Sequence, residues 1–507
     1  MRFVLIAALG GALISSAAAI EAPINQSADQ QSTEQITDAI RAGYSAMQAG
    51  DLQSADRSFQ SVISAPAFDS LKPAVQHAVL LGEGLLLQSM ERNAEAHPLL
   101  VRACGYSATA SSYDWAARLQ TAYALGDFAD AGESLVKLAH AWPMTIRQFN
   151  DQAVFRILSE LKKSPDGQSL RFQLMDALYA AHWKVEGALE PSWVWMELSL
   201  HLLSQGESSR AEDVADHVEA VSSLIEMRVD NRYAPIVNAN PTHFDIKRAA
   251  DSQVQKLRDL VAKAPRSLTM AMELQYALLS VHKEAEVIAI ADEVIAKIKN
   301  AKNGETLYDD QQSHLIWIMD SRARALERLG RWDEAVAQLS LASRRPESGG
   351  MNVSQAINLG VLYVKLGRAK EALAVVSEVG SMSPYGHMQL ESVKYQAAVQ
   401  LGDSATADAA FAYLQTHQED AEDTYQEALI HSGKLDEAAK RYIARVEAPE
   451  TRSDALLEAQ NFIDLPTTDA MTKWKLQWKA LLARADVQQA INKVGKVERY
   501  AVTEPLT

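Results

Sequence analysis

Catalysis needs nucleophiles, bases, metal ligands or phosphate cradles at particular spacings, and this chain spreads its reactive side chains thinly. The twelve histidines include no H-E-x-x-H pair, and no two of them stand at a metal-ligand spacing. No G-x-S-x-G elbow, P-loop or G-x-G-x-x-G turn occurs. Gly82 and Gly84 fall inside an apolar helical run, where they suit close packing better than a phosphate. The single cysteine, Cys104, excludes a disulfide framework and a cysteine-based metal cluster. Followed by Gly105, it reads as a small buried residue at a helix end, with a reactive or intermolecular thiol as the sharper alternative. No catalytic residue, metal ligand or cofactor is expected.

The elements that would position any site are helical. With 48% hydrophobic and 22% charged residues, 23 glycines and 15 prolines, the 507-residue chain is neither collagen-like, low-complexity nor wholly disordered. Arg2, an apolar run from Phe3 to Ile14 and the small residues 15–19 make 1–19 an expected secretory signal peptide, cut after Ala19; a membrane anchor is the alternative. Glu21 and Pro23 follow in place of a basic flank, and no later stretch of 18 residues is both apolar and uncharged. Residues 20–35, rich in Gln, Ser and Asp, are expected to form a flexible lead. A net charge of −16, one unit more negative without Arg2, disfavours nucleic acid and anionic lipid as partners.

From Ile36 onward one pattern recurs: an amphipathic run, a glycine, a second amphipathic run, then often a proline. Ala356, Leu359, Gly360, Tyr363, Gly367, Ala372 and Val376 stand at helical spacing, and Pro384 is expected to close the second helix. Gly330, Gly367, Gly402 and Gly433 are 37, 35 and 31 residues apart, and an alanine follows each after five residues. Gly50, Gly126 and Gly206 repeat that spacing with Ala55, Ala131 and Ala211. The glycine would end the first helix at positive φ, and the small residue would let the second approach. No alternating apolar runs bounded by hairpin turns compete.

This pattern resembles the tetratricopeptide repeat (TPR), a helix–turn–helix unit of about 34 residues. The resemblance implies an all-α fold, a right-handed superhelical array of helix hairpins (an α-solenoid). It covers residues 36–450 and is strongest over 316–384. It divides the chain into N-terminal repeats at 36–225, an irregular connecting segment at 226–245, C-terminal repeats at 246–450 and capping helices at 451–507. A non-repeat helical bundle is the competing fold.

Stacked hairpins bury their apolar faces against their neighbours, and the first helices line a concave surface. On that surface the register places Trp317, Asp320, Arg324, Arg328, Asn358 and Lys365 as candidate partner-binding residues. An aromatic with Arg and Asn suits recognition of a protein or extended peptide; an ordinary solvated helix face is the alternative. Arg324→Glu is expected to weaken partner capture without lowering the melting temperature. The family's two-carboxylate clamp is matched at one of its five positions, Asn358, with Asp320 and Arg324 before it and Gln389 and Val393 after it. Capture of a chaperone-type C-terminal tail is therefore not implied.

Some envelope lytic transglycosylases join a helical superhelix to a domain with a catalytic Glu–Ser pair. Such pairs begin here at Glu133, Glu207, Glu347 and Glu391, but only Gly495 follows Gly433, which leaves too little for that domain. Residues 470–499 carry seven basic and two acidic side chains, reading as a polar cap or as a docking surface for an acidic partner. Residues 226–245 and Arg344–Asn352 read as plain linkers or as functional loops. The expectation is an exported, non-catalytic periplasmic scaffold that binds a protein or peptide in cell-envelope assembly. Its rivals are a structural subunit of an envelope or polysaccharide-export complex and an α-toroid enzyme acting on polysaccharide.

Overall fold

The computed structural model describes residues 29–147, 149–185, 189–302, 305–347 and 349–504, so the expected signal peptide lies outside the described residues. Among the described residues every regular element is helical, with three isolated β-bridges and no strand. The fold is an all-α solenoid divided into two compact units, one ending at Lys184 and the other beginning at Val185.

The first unit holds α1 (Asp29–Gln48), α2 (Leu52–Ile63), α3 (Pro73–Ser89), α4 (Asn93–Cys104), α5 (Ser112–Leu125), α6 (Phe128–Ala141), α7 (Pro143–Ile146), α8 (Asp151–Lys163) and α9 (Gly167–Ala180). Helices α1 to α6 each pack on the next, α8 packs on α9, and both α8 and α9 pack back on α6. Because α1 starts at Asp29, the expected flexible lead is helical from that residue on. A Cβ on Gly84 would stand 2.7 Å from Leu100 Cδ2, so this glycine does serve close packing of α3 on α4. Cys104 closes α4 and is buried, which pushes its thiol up to about 12 and keeps it protonated. Gly105 after it has φ of −68°, so the cap is right-handed and owes nothing to positive φ.

The second unit holds α10 (Ser192–Ser204), α11 (Ser208–Ala215), α12 (Val221–Val229), α13 (Ala234–Ala239), α14 (Ile246–Lys263), α15 (Leu268–Ser280), α16 (Glu284–Asn300), α17 (Gln311–Arg328), α18 (Trp332–Ala342), α19 (Ser354–Lys365) and α20 (Ala369–Val375). It continues with α21 (Pro384–Leu401), α22 (Ser404–Thr416), α23 (Glu422–His431), α24 (Leu435–Glu447), α25 (Arg452–Glu458), α26 (Asp469–Leu482) and α27 (Ala485–Val494).

The hairpin turns are built as the glycine spacing predicts. Gly50, Gly126, Gly206, Gly330, Gly367, Gly402 and Gly433 all have φ between +71° and +80°. After Gly367 the Arg368 N–H donates back to Tyr363 O at 2.8 Å, and Ala372, five residues past the glycine, is fully buried. Three further turns use Glu91, His182 and His282 at φ of +62°, +50° and +60°. Two of them join α3 to α4 and α15 to α16 with the same back-bond, Arg92 N–H to Leu87 O and Lys283 N–H to Leu278 O. The glycine pattern passed over these hairpins because their turn residue is not glycine. Pro384 does not close α20, which ends at Val375; it opens α21, where the missing N–H costs nothing.

Residues 226–245 run through the end of α12, a 3-10 turn at Asn231–Tyr233, α13 and a non-helical turn at 240–245, and they lie inside the second unit. Helix α12 packs against α25, so this unit closes on itself. Arg228 Nε reaches Glu498 Oε2 at 2.5 Å, Arg232 Nη1 donates to Pro449 O at 3.0 Å, and Asp230 bridges to Gly495. Glu347, within the Arg344–Asn352 segment, is tied to the helix that follows. Glu347 Oε2 accepts from Val353 N–H and Ser354 N–H at 2.8 and 2.9 Å and so caps α19.

Candidate functional site

The candidate partner-binding residues lie on the first helices α17 and α19. A carboxylate removed from water must be compensated by charge and hydrogen bonds. Asp320 on α17 is 1% exposed and meets that demand twice. Its Oδ2 accepts from Arg324 Nε at 2.7 Å, one turn on, and its Oδ1 accepts from Asn358 Nδ2 at 2.7 Å across the repeat boundary. Burial opposes the Arg324 charge, but Asp320 outweighs it and holds the guanidinium pKa above its ordinary value. Lys365 Nζ lies 3.2 Å from Glu327 Oε2. Arg328 Nη1 donates to Leu279 O at 2.7 Å and to Thr503 Oγ1 at 2.6 Å, while burial pulls its pKa down.

Five of the six residues therefore meet: Asp320, Arg324, Arg328, Asn358 and Lys365 line one cavity of about 230 Å³. Trp317 is half-buried one turn earlier on α17 and is not among the lining residues. The polar groups point largely at one another. This is a satisfied network on the inner face rather than a row of free hydrogen-bonding groups.

The sequence reading missed what covers this face. Residues 461–504 do more than cap α24. Two extended stretches pair through Tyr500 N–H to Asn461 O at 2.8 Å and Ile463 N–H to Val502 O at 3.0 Å. The strap they form reaches α15 and α17, where Thr503 N–H donates to Ser280 O at 2.9 Å and Glu504 O accepts from Arg328 Nη2 at 3.3 Å. Thr468 Oγ1 donates to Lys365 O at 2.5 Å, and Leu465, Pro466 and Met471 wall the cavity.

A second cavity, of about 500 Å³, shares Val361, Lys365 and Met471 with the first. Its floor is α19, α21 and α23, and α26 lies over it. Glu427 opens onto this space, yet dense surrounding protein, with Asp423 and Glu458 nearby, pushes its carboxyl up to about 7. Burial, aided by Lys473, holds His431 down at about 4, so its imidazole is neutral at physiological pH.

In the first unit, His97, Asp127 and Asp130 could turn three ligand atoms toward one point. Arg118 Nε already sits 2.7 Å from Asp130 Oδ1, and Asp127 Oδ1 caps α6 through the Asp130 N–H at 3.1 Å. Charge and lone pairs that a cation would need are spent within the helix pair.

No known protein family and no curated protein matches the chain. Among solved structures the chain is similar to the APC/C hetero-tetramer Cut9-Hcn1, at 12% identity over 90% of this chain and 96% of that one, with a TM-score of 0.29. It is similar to Naa15/Naa10 bound to HypK-THB, at 12% identity over 90% of this chain and 74% of that one, with a TM-score of 0.22. It is similar to the P58(IPK) TPR domain, at 14% identity over 82% of this chain and 99% of that one, with a TM-score of 0.21. TM-scores this low carry no argument; the array of helix hairpins rests on the turns and packing described above.

Proposed function

We propose that this protein is an exported, non-catalytic TPR-like scaffold of the cell envelope, and that the first helices of its second unit hold a protein or an extended peptide. One observation carries the reading. The same inner face already engages extended polypeptide in cis, through Arg328 to Thr503 Oγ1 and Glu504 O and through Ser280 O to Thr503 N–H. Backbone groups presented to a helix array in this way are what a partner peptide would offer.

The test is site-specific photocrosslinking in intact cells. Probes at Trp317 and Asn358 are expected to yield a discrete adduct, and probes at Leu341, exposed on the second helix α18, are not. Adducts from Leu341 alone would overturn the assignment of the face. Export is tested separately: the purified mature protein is expected to begin at Ile20 and to fractionate with the periplasm.

A second reading draws on the same strap. Because the inner face is largely covered by residues 461–504, the chain could serve as a structural subunit of an envelope or polysaccharide-export complex through its outer surfaces. Crosslinks confined to outer positions would favour it.

A further inference from the structure

The strap is unevenly held, and the weakest part is α26. This helix has 14 residues, of which only Leu481 is buried, while Leu476 is 64% exposed. It lies above the two cavities, of about 230 and 500 Å³, that share Val361, Lys365 and Met471. Among the described residues, no side chain of 469–482 makes a hydrogen bond or ion pair to the repeat helices. The contact is apolar: Leu481 is buried, Trp478 stands edge-on to Tyr442 at 5.4 Å, and Trp474 lies 6.4 Å from His431. The Trp474 Nε1–H is buried without an acceptor.

The segments on either side are fastened. Thr468 Oγ1 bonds to Lys365 O just before α26, and Arg484 Nη1 pairs with Asp436 at 2.7 Å just after it. Helix α27 buries Val487, Ala490 and Ile491 within ten residues. A helix laid over cavities between two pinned ends, with one buried apolar side chain and an unsatisfied buried donor, is a poor fit to its own groove.

We propose that the groove of α19, α21 and α23 is the docking site for an amphipathic, basic helix of a partner protein, and that α26 is a displaceable stand-in for it. This rests on the reading of the inner face as a polypeptide-binding surface and names the partner's chemistry. The resident shows what the groove accepts: two aromatic residues four apart, Trp474 and Trp478, with Lys473, Lys475 and Lys479 on the same helix. Glu427 and Glu504 line the cavity opposite, where a cationic side chain would favour their ionised forms, Lys365 is already paired with Glu327, and the chain is acidic overall, so a basic helix is complementary. A partner with bulkier apolar side chains would fill the space that α26 leaves above Val361, Val364 and Val393.

Hydrogen exchange on the unaltered full chain is the first test. The amides of 469–482 are expected to exchange together at least tenfold faster than those of 485–494; equal protection of the two helices would overturn the proposal. The second test adds a labelled synthetic peptide of residues 466–484 to the full chain carrying Trp474→Ala and Trp478→Ala. Binding at least tenfold tighter than to the unaltered chain is expected, and loss of binding when the peptide carries the same two changes. Equal affinity for both chains, or for both peptides, overturns the proposal, and so does uptake of a small apolar anion with no uptake of the peptide. Should peptide exchange occur as expected while in-cell crosslinks come only from outer positions, the groove assignment stands and the proposed function fails. Should inner-face crosslinks form while α26 stays fully protected, the proposed function stands and displacement fails.

Discussion

The guanidinium of Arg328 on α17 donates to Thr503 Oγ1 at 2.6 Å, joining residues 175 apart in the sequence. Thr503 is fully buried, and its hydroxyl in turn donates to Leu279 O at 2.8 Å. Arg328 thus ties the end of the strap to two repeats at once. Arg328→Ala leaves Leu279 O and the threonine with fewer partners and is expected to cost about 1–3 kcal/mol. Hydrogen exchange should show 499–504 losing protection while 485–494 keep theirs. Unchanged exchange at 499–504 would mean that the pairing with 461–463 holds the strap alone.

The Asp320 network changes the expectation for Arg324. Arg324→Glu sets a second carboxylate beside a buried one, so the melting temperature should fall. Arg324→Ala alone is expected to cost about 2 kcal/mol, less than a fully buried pair because the arginine side chain is 38% exposed. Asn358→Ala should cost about 1 kcal/mol. In an Asp320→Asn background both costs should drop by more than half, since the charge they serve is gone. Denaturant titration of the two double-mutant cycles, which share the unaltered and Asp320→Asn chains, measures this; additive costs would show that Arg324 and Asn358 each act independently of Asp320.

The turns give a cleaner separation of backbone from packing. Gly402 has φ of +73° and open space around its missing Cβ, so Gly402→Ala carries strain alone, about 1 kcal/mol. Gly360 lies inside α19, where a Cβ would sit 2.9 Å from both Val376 Cγ1 and Val393 Cγ1. Gly360→Ala is therefore expected to cost about 1–3 kcal/mol by overpacking. A second change, Val393→Ala, should recover part of the Gly360 loss and none of the Gly402 loss, read from thermal melts.

What the sequence discloses follows from how local each cause is. A turn glycine and the alanine five residues later are fixed by the geometry of one hairpin, so Gly330 with Ala335 and Gly367 with Ala372 are readable without neighbours. Glu91 and His282 adopt the same φ at a strain cost that surrounding packing covers, and nothing in their type announces it. That Asp320, Arg324, Arg328, Asn358 and Lys365 line one space is legible because first helices share one register. The strap was not, because Thr503 meets Ser280 through backbone atoms, which leave no periodic trace in side-chain types. The same holds for the bridge between Asp230 and Gly495, which closes the second unit.

Glu427 and His431 stand one turn apart on α23: the surrounding protein, with Asp423 and Glu458, raises the first, and burial, with Lys473, lowers the second. The folded carboxyl titrates at about 7 against an ordinary 4.5, so its contribution is fully present below pH 4.5 and is lost as pH rises through 7. The folded imidazole titrates at about 4 against 6.5, so its contribution is present above pH 6.5 and is lost as pH falls through 4. Between those ordinary values the two slopes oppose each other. Glu427→Gln should therefore make the melting temperature climb more steeply from pH 4.5 to 6.5 than in the unaltered chain. His431→Gln should make it fall over the same interval and on to pH 7. Melts at half-unit pH steps decide the matter: if neither substitution changes the slope, the two groups are solvated alike in the folded and unfolded chain, and the space under α26 is wet enough to leave both at their ordinary values.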